Sequence, residues 1–130
     1  MLRILIADDH EFIRKGLKQI LFDEFTSIHI EEAEDTDRLL ELAFAKQWDI
    51  IISDISMPGV GGLEALYIIK QRMPTVPVLL LSIYPEDQYA GNVLAAGASG
   101  YLNKDSAPAE LVNATRTILS GQKYISQKKS

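Results

Sequence analysis

Apolar residues fall along the chain in two alternating rhythms: short β-branched runs, and longer stretches that repeat at three and four residues. Leu2-Arg3-Ile4-Leu5-Ile6-Ala7 reads as a strand, and Phe12, Ile13, Leu17, Ile20 and Leu21 recur as one face of a following helix. Ile28 to Ala33 alternates as a more exposed strand should, with His29 on its open side, before Leu39, Leu40, Ala43 and Phe44 mark a second helix. Ile50-Ile51-Ile52 is apolar on successive residues, the signature of a strand covered on both faces. Met57-Pro58-Gly59-Val60-Gly61-Gly62 breaks the chain ahead of a third helix face formed by Leu63, Leu66, Ile69 and Met73. A fourth strand, Val78 to Leu81, is followed after Pro85 by a helix carrying Tyr89, Val93 and Leu94 and ending near Gly97. A fifth, Gly100 to Asn103, leads after Pro108 into a helix with Leu111, Val112, Thr115, Ile118 and Leu119.

Five strand-helix units in succession predict an α/β fold: a doubly wound, five-stranded parallel sheet with right-handed crossovers and five helices on its two faces. Ser120-Gly121 stops the last helix and the polar, basic end follows, so residues 1–121 are expected to form the domain and 122–130 to begin a linker. A chain of 130 residues, 47% hydrophobic and 24% charged, buries a core without staples. The absence of cysteine excludes disulfides and thiolate chemistry. No run approaches the roughly 18 apolar residues of a membrane span, and no basic leader precedes a long apolar core, so a cytoplasmic protein without membrane contact is expected. The net charge of −5 disfavours binding the phosphate backbone of nucleic acid through the general field.

In an open parallel sheet, ligands sit beyond the carboxyl ends of the strands, where the strand order reverses. Strand one delivers Asp8 and Asp9 there, strand three Asp54, strand four Ser82 and strand five Lys104. Three carboxylates within a few ångströms repel one another by roughly 4 kcal/mol per pair at an effective dielectric of about 20, so they need a cation. Oxygen ligands without Cys or His suit a hard ion, and a site that leaves room for water and phosphate suits Mg²⁺. A lysine across from the metal neutralises a phosphoryl group lying between them, and a serine hydroxyl bonds another oxygen. Each residue alone has an ordinary use: Asp8 and Asp9 as helix caps, Asp54 in a turn, Lys104 on the surface, Ser82 as a strand-end hydroxyl and Tyr101 as a half-buried sheet residue. Four strand ends agreeing on one chemistry favour the site. His10 reads as a solvent-facing residue of the first helical turn.

With these residues in place, "ILIADDH", "DIIISDISMPGVGGLEAL", "VLLLS", "AAGASGYLNKD" and "GQKYIS" together resemble the receiver domain of bacterial two-component response regulators over almost the whole chain. "ADDH", "AGASGYLNKD" and "GQKYIS" are similar to the NarL/FixJ branch, in which a helix-turn-helix DNA-binding domain follows. The resemblance implies a flavodoxin-like strand order of 2-1-3-4-5. It implies Asp54 as phosphoryl acceptor from a sensor histidine kinase, with Mg²⁺ held directly by Asp9, Asp54 and the Ser56 carbonyl and by Asp8 mostly through water. Lys104 would contact the phosphoryl group, Ser82 would switch by bonding it, and Tyr101 would turn inward in response. Ser56 and Tyr84, two residues beyond Asp54 and Ser82, are expected to border the attacking water and tune the phosphoryl lifetime. Homodimerisation on phosphorylation is expected, through either the helix-four to helix-five or the helix-one to helix-five side, with DNA reached only through a separate output domain.

Two departures stand out. Gly61 occupies a position where receivers often have aspartate, and Asp105 follows Lys104 where many have proline, which leaves the backbone at that joint open. Two other classes remain in view: a magnesium-dependent phosphohydrolase with an aspartyl-phosphate intermediate, which usually carries Asp-x-Asp after strand one, and a pseudo-receiver that only binds partners.

Overall fold

The computed structural model describes residues 1–83 and 86–125, and for residues 86–90 the backbone alone. The elements run β1 (Leu2–Ala7), α1 (Glu11–Glu24), β2 (Ile28–Ala33), α2 (Thr36–Ala45), β3 (Ile50–Asp54), α3 (Gly62–Arg72), β4 (Val78–Ser82), α4 (Glu86–Ala95), β5 (Gly100–Asn103), a 3₁₀ turn (Lys104–Ser106), α5 (Ala107–Leu119) and β6 (Tyr124–Ile125). All strands pair in parallel, in the order β2-β1-β3-β4-β5-β6.

The side-chain period of two along each central strand sorts residues into two cores. Leu5, Ile51, Val78, Leu80 and Tyr101 pack on one face of the sheet with Leu39, Leu66, Ile69 and Val93 from α2, α3 and α4. Ile4, Ile6, Ile50, Ile52, Leu79, Leu81 and Leu102 pack on the other with Leu17 and Leu21 of α1 and Leu111 and Ile118 of α5. Every residue of β3 and β4 is buried, as uninterrupted apolar runs require. Among the described residues, no helix is long and apolar enough to cross a membrane.

Among the described residues the sheet has six strands, where the hydrophobic pattern predicts five. Beyond Gly121, Tyr124 and Ile125 lie in register with Gly100 and Tyr101. Gly100 makes this possible, because a Cβ there would stand 2.7 Å from the Tyr124 carbonyl oxygen. The Tyr124 hydroxyl donates to Glu110 Oε1 at 2.5 Å and fastens the strand to α5. Burial and the Glu110 carboxylate push that phenol up to about 12. Two residues are too few to show an alternating pattern, so this strand is silent in the sequence. Residues 126–130, the rest of the expected linker, lie outside the described residues.

Phe12 departs from its predicted place in the α1 core stripe and is 85% exposed. Adjacent helix positions point about 100° apart, so with Ile13 turned toward the sheet Phe12 is carried to the rim. Leu63, in the first turn of α3, is likewise exposed. His29 stacks against Trp48 and bonds Glu31 at 2.7 Å, which makes it half-buried rather than free.

Two glycines shape the connection from β3 to α3. Gly61 has φ +90° and ψ 154°, a conformation that is costly for any residue with a Cβ, so backbone geometry and not capping excludes aspartate there. Gly62 lies so close to the end of β3 that a Cβ would meet the Asp54 carbonyl oxygen at 2.4 Å and Ile55 Cα at 2.6 Å. Gly62→Ala is expected to cost about 1–3 kcal/mol, the range for overpacking a filled site, in urea unfolding, because backbone rather than a flexible side chain must yield. An unchanged midpoint would contradict the close approach.

Candidate functional site

Strand order reverses between β1, which neighbours β2, and β3, which neighbours β4, so the ends of β1 and β3 flank a natural crevice. Asp8 lies just past β1. Its N–H donates to the Ala33 carbonyl at 3.0 Å, and its own carbonyl accepts from Arg14 Nη1 at 2.6 Å. Arg14 Nε also donates to Glu32 Oε1 at 3.0 Å, so one guanidinium straps α1 to the ends of both β1 and β2. Burial pushes the Glu32 carboxyl up, but bonds from Lys18 and Arg14 outweigh it and hold it below the usual range.

Neither aspartate caps α1. His10 occupies the N-cap position and makes no side-chain cap bond. The fully buried Asp8 carboxylate instead accepts, at Oδ1, the His10 backbone N–H at 2.8 Å. The His10 side chain is 65% exposed, as expected of a solvent-facing residue, and its Nδ1 lies 3.2 Å from Asp8 Oδ1 and 3.0 Å from Asp9 Oδ1. Asp9 keeps about a third of its side chain exposed at 32%.

Asp54 ends β3 with only 3% of its surface exposed. Its Oδ1 accepts the Ser56 N–H at 3.2 Å and its Oδ2 accepts from Lys104 Nζ at 3.0 Å. Lys104 Nζ also sits 2.8 Å from Asp8 Oδ2, a charge contact without a directed hydrogen bond, so that buried oxygen has none. Lys104 is delivered from the end of β5 by the 3₁₀ turn, in which the Asp105 N–H donates to the Asn103 side-chain oxygen at 2.9 Å. No peptide bond among the described residues is cis, which answers the geometry left open at Lys104-Asp105. Ser82 ends β4, buried, and lies opposite Asn103 in the register; Asp54 lies opposite Leu81. Tyr101 is already fully buried in the core, so the inward position anticipated as a response is occupied in this structure. Tyr84 lies outside the described residues.

Sequence reasoning passed over Thr36. This buried residue, first in α2, receives the Val60 N–H on Oγ1 at 2.9 Å and donates to the Pro58 carbonyl at 3.3 Å. Gly59 must be glycine beside it, since a Cβ would fall 2.0 Å from that hydroxyl oxygen. The loop after Asp54 is thereby pinned to α2, 24 residues distant in sequence, and only a fold-level view reveals the contact.

Single ligand atoms from Asp8, Asp9, His10 and Asp54 all lie within 4.8 Å of one another. Three converging carboxylates, one with a buried oxygen lacking a directed hydrogen bond, fit a divalent cation. Burial pushes the Asp54 carboxyl up, and the neighbouring Asp8 charge adds to this, more than Lys104 and the Ser56 N–H lower it. Burial disfavours the Lys104 ammonium, yet Asp8 and Asp54 together raise it above its ordinary value.

A carboxyl raised in the folded state binds its proton more tightly there than in the unfolded chain, so ionising it subtracts from stability as pH rises from the ordinary carboxylate value of 3.8 through the raised one. At neutral pH and with chelator present, Asp54→Asn is therefore expected to raise the thermal midpoint by a few degrees. A lower midpoint would show that the Lys104 pairing outweighs burial.

A family description of the response regulator receiver domain matches residues 4–116. The chain is 38% identical over 125 residues to the response regulator UvrY of Escherichia coli strain K12, covering 96% of this chain and 57% of that protein. It is 39% identical over 127 residues to the transcriptional regulatory protein DegU of Brevibacillus brevis, covering 98% of this chain and 54% of that one. It thus spans little more than half the length of these curated relatives. The crystal structure of a LuxR-family two-component response regulator from Aurantimonas sp. SI85-9A1 superposes with a TM-score of 0.86 at 34% identity, over 94% of this chain and 87% of that one. Sheet order, the acids at the strand ends and these matches converge: the chain belongs to the response regulator receiver domain family.

Proposed function

We propose that this receiver domain takes a phosphoryl group onto Asp54 from the phosphohistidine of a sensor kinase, in a reaction assisted by Mg²⁺, and so switches a DNA-binding output domain in transcription control. The observation that carries this reading is the buried Lys104 ammonium, 3.0 Å from Asp54 Oδ2 and 2.8 Å from Asp8 Oδ2. It supplies fixed positive charge beside Asp54, the carboxylate that ends β3 and faces both Asp8 and Lys104.

A carboxylate oxygen of Asp54 attacks phosphorus in line. The new O–P bond forms as the N–P bond breaks, and the electron pair stays with the departing imidazole. Lys104 holds its charge against the transferring group throughout, and Asp8 keeps Lys104 in place. Asp9, Asp54 and the Ser56 carbonyl would hold the Mg²⁺ directly and Asp8 through water; when bound, the ion neutralises the acids and the phosphoryl oxygens. Water later attacks phosphorus, the O–P bond breaks and the Asp54 carboxylate returns. The domain thus promotes its own modification and reversal while its output is a conformational state. In this reading Ser56, two residues beyond Asp54, tunes the lifetime, and the same role is expected of Tyr84, which lies outside the described residues.

For the switch, Ser82 bonds a phosphoryl oxygen and the Tyr101 ring is held in the buried position that this structure displays. A ligand moves such an equilibrium only as far as it binds the two states differently, and the Ser82 bond supplies that difference. Homodimerisation on phosphorylation follows in the same reading.

Incubation with acetyl phosphate and Mg²⁺ is expected to add one phosphoryl group to the intact mass of the wild type and none to Asp54→Ala. Equal labelling would refute the acceptor. Absence of labelling in a folded wild type would favour a pseudo-receiver, and turnover of small phosphomonoesters a phosphohydrolase. Beryllofluoride, standing in for the phosphoryl group, is expected to shift amide signals across α4, β5 and α5 in the wild type. In Ser82→Ala those distant shifts shrink while the ones beside Asp54 persist; a full distant response in the variant would break the Ser82 to Tyr101 link.

A further inference from the structure

We propose that β6 is a latch on β5, held in place while the Tyr101 ring is buried and loosened when the ring leaves, so that a phosphoryl group on Asp54 fastens Tyr124 and Ile125 to the sheet and its removal lets them go. The latch rests on the reading of Asp54 as acceptor and of Ser82 as its link to Tyr101, and extends that link by one strand.

The end of α5 turns the chain into this place. Gly121 has φ +94°, a conformation that suits glycine. Its N–H donates to the Ile118 carbonyl at 3.0 Å and the Gln122 N–H to the Thr117 carbonyl at 3.2 Å, the paired bonds of a Schellman turn. The reversed chain then runs along the outer edge of β5, where the Tyr124 N–H donates to the Ser99 carbonyl at 3.0 Å. Successive strand residues point to opposite faces, so β6 reaches both cores. Tyr124 packs on the α5 side, with its hydroxyl bonded to Glu110 Oε1 at 2.5 Å. Ile125 packs on the other side, in the core that holds Tyr101.

Register decides what Ile125 does there. Tyr101 lies opposite Leu80 of β4 on one side and opposite Ile125 on the other. Leu80 belongs to a central strand and is fully buried, so the ring has no way out past it. Its way out of the core leads toward the edge of the sheet, across Ile125. A ring on that path displaces Ile125 and, one peptide back, strains the Tyr124 bond to Ser99; a ring held in the core gives Ile125 a wall to pack on. With only two residues in β6, that one side-chain contact is a large share of what keeps the strand in place. The same position of Tyr101 therefore favours both the Ser82 bond to a phosphoryl oxygen and the docking of β6. By linkage, each strengthens the other by the same factor.

The test is amide hydrogen exchange followed by NMR, with and without beryllofluoride and Mg²⁺, on the wild type, Ile125→Ala, Ile125→Val and Tyr124→Phe. With beryllofluoride on Asp54, the wild-type amide at position 124 is expected to exchange about tenfold more slowly, within the usual range of coupling between sites, while the Gln122 amide in the turn keeps its rate. Ile125→Ala should abolish the slowing and Ile125→Val retain it, since a branched side chain still walls the ring. Tyr124→Phe should speed exchange at position 124 about tenfold in both states and leave their ratio intact, because the lost bond to Glu110 ties β6 to α5 and not to Tyr101. An unchanged rate at position 124 in the wild type with beryllofluoride bound, or full slowing in Ile125→Ala, overturns the latch. Equal slowing at positions 122 and 124 also overturns it, as a general stiffening of the domain. If no amide beside Asp54 shifts, beryllofluoride has not bound, and the acceptor reading falls and takes the latch with it.

Discussion

A single ammonium group, Lys104 Nζ, stands within 3.0 Å of carboxylates delivered by two different strands, and the crevice is built around that contact. Its side chain is 11% exposed and those of Asp8 and Asp54 no more than 4%, so all three charges have given up most of their water. Such a cluster is not a source of stability. Removing charges from water costs several kcal/mol per ion, and one lysine cannot neutralise two aspartates, let alone the nearby Asp9. The fold carries this local imbalance because the surrounding elements hold it in place: Arg14 fixes the Asp8 backbone from α1, and Thr36 fixes the loop beyond Asp54 from α2.

The two-sided core provides the force behind that restraint. Ile4, Ile6, Ile51, Ile52, Leu79 and Leu80 are all fully buried, and each such side chain contributes about 1.5–3 kcal/mol relative to exposure. Parallel pairing then sets where the strands end. Because Asp54 lies opposite Leu81 and Ser82 opposite Asn103, functional groups just past or at the strand ends arrive on one side of the sheet without any loop having to reach far. The packing of apolar residues thus fixes the geometry of polar ones.

Much of this was legible in the sequence, and the exceptions have physical causes. Continuous apolar runs such as Ile50 to Ile52 identify central strands because burial on both faces leaves no polar positions. Asp8, Asp54, Ser82 and Lys104 were legible because strand ends are easy to locate even when helix ends are not. Phe12 was misplaced because periodicity marks a stripe but not its edge, and β6 was missed because two residues carry no period. Thr36 escaped for a different reason. Its role depends on a neighbour fixed by folding, a loop 24 residues away.

The two borders of the sheet bear on how the protein behaves at high concentration. A parallel sheet with an open flank presents unpaired N–H and C=O groups to any extended chain that passes. Among the described residues, one flank ends in β6, a strand of two residues. That is too short to serve as a template for a foreign strand. The other flank, β2, sets His29, Glu31 and Glu32 among its apolar residues, with Lys18 and Lys46 paired to those acids. A chain docking there would have to strip water from this lattice of charges. Both flanks therefore oppose edge-to-edge growth, one by brevity and the other by charge, which protects a molecule whose central strands are as aggregation-prone as any uninterrupted run of isoleucine and leucine.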